Sequence, residues 1–242
     1  MNNKIMSFSI LCAISYSAIA QAQAVEEVIV TATKTERTLQ EVPVAVSVVT
    51  ADTIEKANVV DLLDLKAVVP SLDARQYQST TNATFFIRGF GNGSNNPGVE
   101  PSVAVFVDGV YRSKIQGQLS DLPMLERIEV LRGPQSTLFG KNASAGVISI
   151  TTKAPEGEAS SLIETTLGSY GTQIFKTTST GPISDTMAYR FSAGINESDG
   201  YATNLFDDSP LNNRDRSALR GQISWDISED ASLRIIADMD SI

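Results

Sequence analysis

The sequence predicts an α+β domain followed by the first antiparallel strands of an incomplete transmembrane β-barrel. Three observations support this fold class: an N-terminal secretory signal peptide, a zone of alternating short strand-like and helix-like segments, and a final zone in which apolar and polar residues alternate. They divide the chain into a signal peptide over 1–24, an extended segment over 25–35, the α+β domain over 36–155 and the barrel strands over 156–242.

The first 24 residues have the pattern of a secretory signal peptide. Lys4 provides a short basic start, a largely apolar run follows, and small-x-small cleavage sites lie between Ala18 and Ala24. The single cysteine, Cys12, lies in this segment, so the mature chain is expected to contain neither a disulfide nor a thiolate nucleophile. No later stretch holds the roughly 20 consecutive apolar residues of a membrane-spanning helix, so any membrane crossing would require strands.

Composition restricts the function classes that remain. The formal net charge of -9 argues against sequence-independent nucleic-acid binding, which requires Lys and Arg to neutralise phosphates. The chain contains no histidine, so the commonest metal ligand and the usual general base at neutral pH are missing. We therefore expect binding or transport, with no cofactor and no resident metal site, and catalysis by carboxylates stays an open alternative at this point.

The zone over 36–155 predicts short strands around one helical segment. A helix is expected from Thr50 to about Val69, because Thr50 and Asp52 suit a helix start and Pro70 ends the pattern. A helical turn is expected at Leu122–Arg127. Runs of β-branched and aromatic residues predict strands at Val44–Thr50, Thr84–Arg88, Val103–Val107, Arg127–Leu131 and Gly146–Thr152.

The final zone predicts five strands with alternating faces, near 158–168, 172–180, 186–197, 215–227 and 231–242. This alternation, in segments of about ten residues, is typical of outer-membrane strands. It fits a soluble sandwich nearly as well when taken alone. The signal peptide and the domain upstream favour the membrane. Because open sheet edges cannot face lipid, we expect the chain to be the N-terminal part of a longer protein.

The most specific pattern is ERIEVLRGPQSTLFGKNASAGVISITTK at Glu126–Lys153. It resembles the plug domain of TonB-dependent outer-membrane receptors. The resemblance implies an α+β plug domain over 36–155, followed by the start of a barrel of about 22 strands. It also implies a Gram-negative outer-membrane location, contact with outer-membrane lipid, and import of a solute with energy relayed by TonB.

The segment EEVIVTAT is similar to the TonB box of this family. Its residues are Glu26, Glu27, Val28, Ile29, Val30, Thr31, Ala32 and Thr33. The resemblance implies that the periplasmic C-terminal domain of TonB pairs with this segment by adding a strand. The β-branched residues favour the extended form, and a place near the mature N-terminus predicts a mobile segment.

The plug resemblance also suggests two further groups of site residues. Arg88 and Arg132, each followed by glycine, match plug arginines that face acidic residues of the barrel wall in the family, and their partners are expected beyond Ile242. The loop Gly89–Pro101 matches an apical plug loop that lines the ligand vestibule. The implied ligand contacts are Tyr77, Gln78, Phe90, Asn92, Ser94, Asn95, Asn96, Tyr111 and Arg112.

The resemblance is strongest to receptors for ferric-siderophore complexes, so iron would arrive inside its chelator. Receptors for a cobalamin, an oligosaccharide or an aromatic compound remain alternatives, and so does a secreted soluble β-rich binding protein. A signal transducer is disfavoured, because it needs a further periplasmic domain where only a few residues separate the predicted cleavage site from Glu26.

Overall fold

The structure, a computed structural model, describes residues 29–31, 34–35, 37–76, 83–91, 98–113 and 124–241. The first part of the chain contains ten short strands, three short α-helices and a 3-10 helix at Leu39–Glu41 within these ranges. The strands and α-helices are, in chain order, β1 Ile29–Val30, β2 Arg37–Thr38, β3 Ala45–Thr50, α1 Ala51–Lys56, α2 Leu65–Val68, β4 Leu72–Gln76, β5 Ala83–Ile87, β6 Phe90–Gly91, β7 Val103–Val107, β8 Val110–Tyr111, β9 Leu125–Arg132, α3 Ser136–Phe139 and β10 Gly146–Thr152.

A five-stranded sheet in the order β3-β9-β10-β7-β8 forms the centre of this domain. The strands β9 and β10 pair antiparallel, whereas β10 and β7 pair parallel. All five residues of β7 are buried, as expected for an apolar strand that is covered on both faces. One face packs against α1, α2 and the smaller sheet β4-β5-β6, with Leu65, Ile87, Ile128 and Ile148 at the centre of the core.

The predicted helix from Thr50 to Val69 is wrong in its middle part. The chain forms α1 and α2 instead, because Asn58 takes a left-handed conformation with φ 50° between them. Short acidic side chains then accept hydrogen bonds from backbone N–H groups that would otherwise pair within a continuous helix. Asp64 accepts from the Val60 N–H at 3.0 Å, and Asp61 accepts from the Leu63 N–H at 2.8 Å.

The helical turn predicted at Leu122–Arg127 is also wrong for its described residues, because β9 already begins at Leu125. The strand predicted at Arg127–Leu131 lies inside β9, and the one predicted at Gly146–Thr152 is β10. The strand β9 is longer than predicted because its pairing with β10 continues to the end of β10. Leu125 still pairs with Thr152 after an irregularity in the ladder.

Five long strands follow in the antiparallel order β11-β12-β13-β16-β17. They are β11 Ser160–Leu167, β12 Gln173–Ser184, β13 Met187–Ser198, β16 Arg214–Ser228 and β17 Ala231–Ser241, and the small hairpin of β14 Ala202–Thr203 and β15 Pro210–Leu211 lies between β13 and β16. This sheet does not close on itself within the described residues, where β11 and β17 form its two edges. All five predicted strands correspond to these elements.

The two faces of this sheet differ in polarity: the buried face is polar, and the exposed face is apolar. The face that covers the first domain buries polar side chains: Arg190, Ser192, Asn196, Arg216, Arg220 and Gln222. The opposite face exposes large apolar side chains: Phe191, Ile195, Leu219, Ile223, Trp225 and Ile235. Polar residues inside and apolar residues outside are the pattern of a barrel wall in lipid, and the reverse of a soluble sandwich.

Gly146 is required by its close contacts at the start of β10. A Cβ atom there would lie 2.4 Å from the carbonyl oxygen of Leu131 and 2.5 Å from Cδ1 of Ile87. Because the oxygen belongs to a paired strand, we expect Gly146→Ala to lower the free energy of unfolding by about 1–3 kcal/mol. Gly221→Ala is the matched control, since nothing lies within 4 Å of its added methyl group. Urea unfolding midpoints measure both, and equal midpoints would contradict the packing argument.

Candidate functional site

The extended N-terminal segment lies against the central sheet. Of the predicted Glu26–Thr33, the structure describes Ile29, Val30 and Thr31; the other residues lie outside the described ranges. The strand β1 pairs antiparallel with β2 through two residue pairs. Val30 is fully buried in a second apolar cluster with Val42, Ala104, Phe106, Leu131, Ala143 and Val147, whereas the Ile29 side chain is half exposed.

A buried carboxylate holds the end of this segment. Glu129 lies in the middle of β9 with no exposed surface. The Thr31 N–H donates to both Glu129 carboxylate oxygens at 2.9 and 3.1 Å, and the Thr31 hydroxyl donates to Oε1 at 3.1 Å. Arg127 donates its Nε–H to the same Oε1 at 2.9 Å. The sequence predicted a mobile segment, and the structure instead holds its described residues in place.

Sequence reasoning did not select Glu129, although a signal was present. The residue stands between Ile128 and Val130, which are both fully buried. An ionised side chain on such a strand must find partners, since an unpaired buried charge is costly. The partner, Thr31, is 98 residues away along the chain, so it could not be identified from local sequence patterns.

Ion pairs join the first domain to the long strands at two buried carboxylates. The first is Asp61, whose side chain is fully buried. Its Oδ2 lies 3.2 Å from the Arg214 guanidinium and 3.4 Å from that of Arg216. Burial raises the pKa of the Asp61 carboxyl, the nearby Asp64 raises it further, and the two arginines oppose this shift.

The second buried carboxylate is Asp108, in the turn after β7. It pairs with Arg220 and lies 3.8 Å from the Arg234 guanidinium. The carboxylate also accepts from the Thr152 N–H at 2.9 Å and from the Thr152 hydroxyl at 2.7 Å. The Arg220 side chain is 3% exposed, so this pair is almost completely removed from water.

A third contact anchors the start of the long sheet. Arg190 on β13 donates to the Ala154 carbonyl at 2.9 Å and pairs with Glu156 at 2.7 Å. Together these contacts fix the domain on β13, β16 and β17. At Asp61 and Asp108 the carboxylate lies on the domain and the arginines lie on the strands. The pair of Arg112 with Asp238, at 2.7 Å, has the opposite polarity.

Neither of the two predicted plug arginines belongs to the ion pairs described above. Arg88 is exposed in a turn with φ 53°, and its N–H donates to the Ser71 carbonyl at 2.8 Å. Arg132 is half-buried at the end of β9, and its Nε atom has no hydrogen-bond partner among the described residues. Their pairing with barrel carboxylates stays a prediction. Sequence reasoning missed the reversed pairs, because Asp61 lies inside the predicted helix and Asp108 directly follows the predicted strand Val103–Val107.

The structure places three of the predicted ligand contacts. Phe90 is 73% exposed at the start of β6, directly after the turn that follows β5. Tyr111 packs on Phe106 in the cluster around Val30, with ring centroids 5.4 Å apart, so it lies beside the N-terminal segment. Arg112 pairs with Asp238. Tyr77, Gln78, Asn92, Ser94, Asn95 and Asn96 lie outside the described residues.

A cavity of about 280 Å³ lies where β4 meets the long strands. Gln76, the last residue of β4, lines it, and the predicted contacts Tyr77 and Gln78 follow directly in the chain. The other lining residues are Tyr170, Thr172, Asn196, Ser198, Gly200, Tyr201, Asn212, Asn213, Arg214 and Arg216. Hydroxyl, amide and guanidinium groups together with two tyrosine rings suit a polar ligand that carries apolar or aromatic parts.

None of the described helices is long and apolar enough to cross a membrane. The described residues also contain no group of three or more His, Cys, Asp or Glu side chains that could hold a metal ion.

Comparison with known proteins identifies the first domain. Residues 38–147 match the family model of the TonB-dependent receptor plug domain. The chain carries a TonB-dependent receptor plug domain. The match covers the central sheet as far as the first two residues of β10, and it includes the buried carboxylates Asp61, Asp108 and Glu129.

Two curated relatives and one solved structure extend the similarity beyond the plug. The chain is 29% identical over 198 residues to the vitamin B12 transporter BtuB of Vibrio vulnificus (strain CMCP6), covering 80% of this chain and 31% of the relative. It is 31% identical over 177 residues to the pesticin receptor of Yersinia pestis, covering 71% and 26%. The crystal structure of the ferric yersiniabactin uptake receptor FyuA from Yersinia pestis is 25% identical with a TM-score of 0.75, covering 81% and 31%.

These comparisons confirm the family, the fold class and the outer-membrane location that the sequence predicted. The family consists of receptors and transporters. The chain spans less than a third of the length of these relatives.

Proposed function

We propose that this chain is part of an outer-membrane receptor that imports ferric-siderophore complexes with energy relayed by TonB. Relatives named as a pesticin receptor and a ferrioxamine receptor support this choice, the latter 28% identical over 86% of this chain. So does the similarity to the ferric yersiniabactin uptake receptor. Binding and passage of the solute require no covalent step, so no catalytic residues are proposed.

The observation that carries the proposal is the plug packed against the polar face of a sheet whose apolar face is exposed. A transport receptor needs an obstruction inside its wall that is held by polar contacts rather than by an apolar core. Polar contacts can be exchanged for water when the obstruction moves, whereas a dry apolar interface resists such exchange. The contacts of Asp61, Asp108 and Arg190 are of this kind.

Three partners follow from this arrangement. The apolar face of the long strands contacts outer-membrane lipid. The periplasmic C-terminal domain of TonB binds Glu26–Thr33 as an added strand, after the segment leaves the plug. The ligand binds at the cavity beside Gln76. Contacts from Tyr77, Gln78 and the asparagines after Phe90 stay predictions, because these residues lie outside the described ranges. No nucleic acid is involved.

Growth under iron limitation tests this function. Cells that lack their own siderophore receptors and express the complete receptor are supplied with single ferric chelates: a hydroxamate, a catecholate and a phenolate. We expect growth and radioactive iron accumulation with at least one of them. If no chelate supports either one, although the receptor is present in the outer membrane, the ferric-siderophore proposal is wrong.

A cobalamin receptor is the second candidate, because the vitamin B12 transporter BtuB aligns with 80% of this chain. The same cells can be supplied with radioactive cyanocobalamin. Uptake of cobalamin without uptake of any ferric chelate would replace the first candidate with this one.

A further inference from the structure

Residues 29–31 are the described part of the predicted TonB box, and they lie docked on the plug. Among the described residues the ladder between β1 and β2 has two residue pairs, and a two-stranded ribbon of this length is not stable on its own in water. The Lys34 N–H closes the turn on the Thr31 carbonyl at 2.8 Å. Within the described residues, the other contacts of 29–31 with the plug include the burial of Val30 and three hydrogen bonds from Thr31 to Glu129.

Glu129 is suited to hold this segment more strongly than a neutral residue would. Hydrogen bonds to an ionised acceptor are roughly twice as strong as neutral ones, and both carboxylate oxygens are used. Arg127 fixes the carboxylate from the other side at 2.9 Å. Since Glu129 has no exposed surface, water does not compete for these bonds while the segment is docked.

The bond to the Thr31 N–H also conflicts with partner binding. A strand that pairs with the TonB box must use the backbone N–H and C=O groups of that segment. While the Thr31 N–H donates to Glu129, it cannot donate to a partner strand. Docking on the plug and pairing with TonB are therefore competing states of one segment, and Glu129 stabilises the first.

We propose that Glu129 is a positioning residue that keeps residues 29–31 of the predicted TonB box docked on the plug and so lowers the affinity of the unliganded receptor for TonB. This inference rests on the proposed function, because it assigns a regulator to the same segment. When only a small fraction of the receptor has a free segment, the apparent affinity for TonB falls by that fraction. Loss of Glu129 removes this restraint without any change in the TonB box itself.

Binding of the TonB C-terminal domain to the complete, ligand-free receptor in detergent tests the proposal. We expect Glu129→Ala to bind about ten-fold more tightly than the parent, the change that loss of one hydrogen bond to a charged group produces. Glu129→Gln keeps an acceptor and the packing, so its increase is expected to be smaller. Glu126→Gln is the matched control, because Glu126 also pairs with Arg127 but makes no described contact with Thr31.

A second measurement separates release of the segment from damage to the plug. A spin label at Ile29→Cys, a half-exposed position, is expected to become more mobile in Glu129→Ala and to stay unchanged in Glu126→Gln. The thermal unfolding midpoint shows whether each variant is folded. If Glu129→Ala does not fold, Glu129→Gln and Thr31→Val decide, since the latter removes only the hydroxyl bond to Glu129.

The outcomes distinguish the two proposals. Parent-like TonB binding and parent-like label mobility in every folded Glu129 and Thr31 variant would overturn the role of Glu129 and leave the proposed function intact. Increased label mobility in a receptor that binds no TonB domain in any form would support the role of Glu129 in docking and contradict the proposed function.

Discussion

Ile29→Pro in the complete receptor is expected to lower energy-dependent uptake by about ten-fold or more while ligand binding stays unchanged. Proline has no N–H to donate, and its ring disturbs close strand pairing, so the partner ladder loses a hydrogen bond at the centre of the predicted TonB box. The Ile29 side chain is half exposed and lies outside the plug core, so the plug is expected to fold normally.

Ile29→Ala is the control for this variant, because it shortens the side chain and keeps the backbone donor. Its uptake is expected to stay within about two-fold of the parent, since recognition by strand addition relies on main-chain bonds. Initial uptake rates and equilibrium ligand binding, measured on the same cells, check both variants. Parent-like uptake by Ile29→Pro would show that pairing at this position is not needed.

Asp108→Asn is expected to destabilise the plug within the receptor by about 3–5 kcal/mol, the cost of breaking a buried ion pair from one side. Asparagine is nearly isosteric with aspartate and tolerates the left-handed backbone at this position, where φ is 47°. The change therefore removes the negative charge beside Arg220 and leaves the turn geometry intact. Among the described residues, the carboxylate left to Arg220 would be that of Asp238, at 3.4 Å.

Thermal unfolding of the receptor in detergent measures this effect, with Glu100→Gln as the control. Glu100 pairs with Lys141 at 2.7 Å, but both side chains are more than half exposed, so its loss is expected to cost about 0–1 kcal/mol. A double variant with Arg220→Gln removes the uncompensated charge and is expected to regain part of the loss. If Asp108→Asn destabilises the receptor no more than Glu100→Gln does, the proposed stabilisation by the buried Asp108–Arg220 pair is contradicted.

Local patterns in the sequence predicted most of the fold. The long strands follow from their alternation, and β7 follows from an apolar run that ends at Asp108 and Gly109. The continuous helix after Thr50 failed because Asn58 and the acidic side chains of Asp61 and Asp64 offer the backbone a local alternative.

The candidate site was less predictable, because its contacts join residues far apart in the chain. Asp61 meets Arg216 across 155 positions, and Asp108 meets Arg220 across 112. Charge type alone does not reveal which carboxylate faces which guanidinium. The resemblance implied that plug arginines pair with carboxylates of the barrel wall. In the described pairs at Asp61 and Asp108, the carboxylate lies on the plug and the arginine on the long strands.

The central claim is that this chain belongs to a receptor whose transport depends on TonB. Accumulation of a radioactive ferric chelate, identified by the growth test, is to be compared in energised cells with and without a functional TonB protein. We predict accumulation only when TonB is present, and its loss when the proton-motive force is collapsed. Equal accumulation in cells that lack TonB would contradict this function.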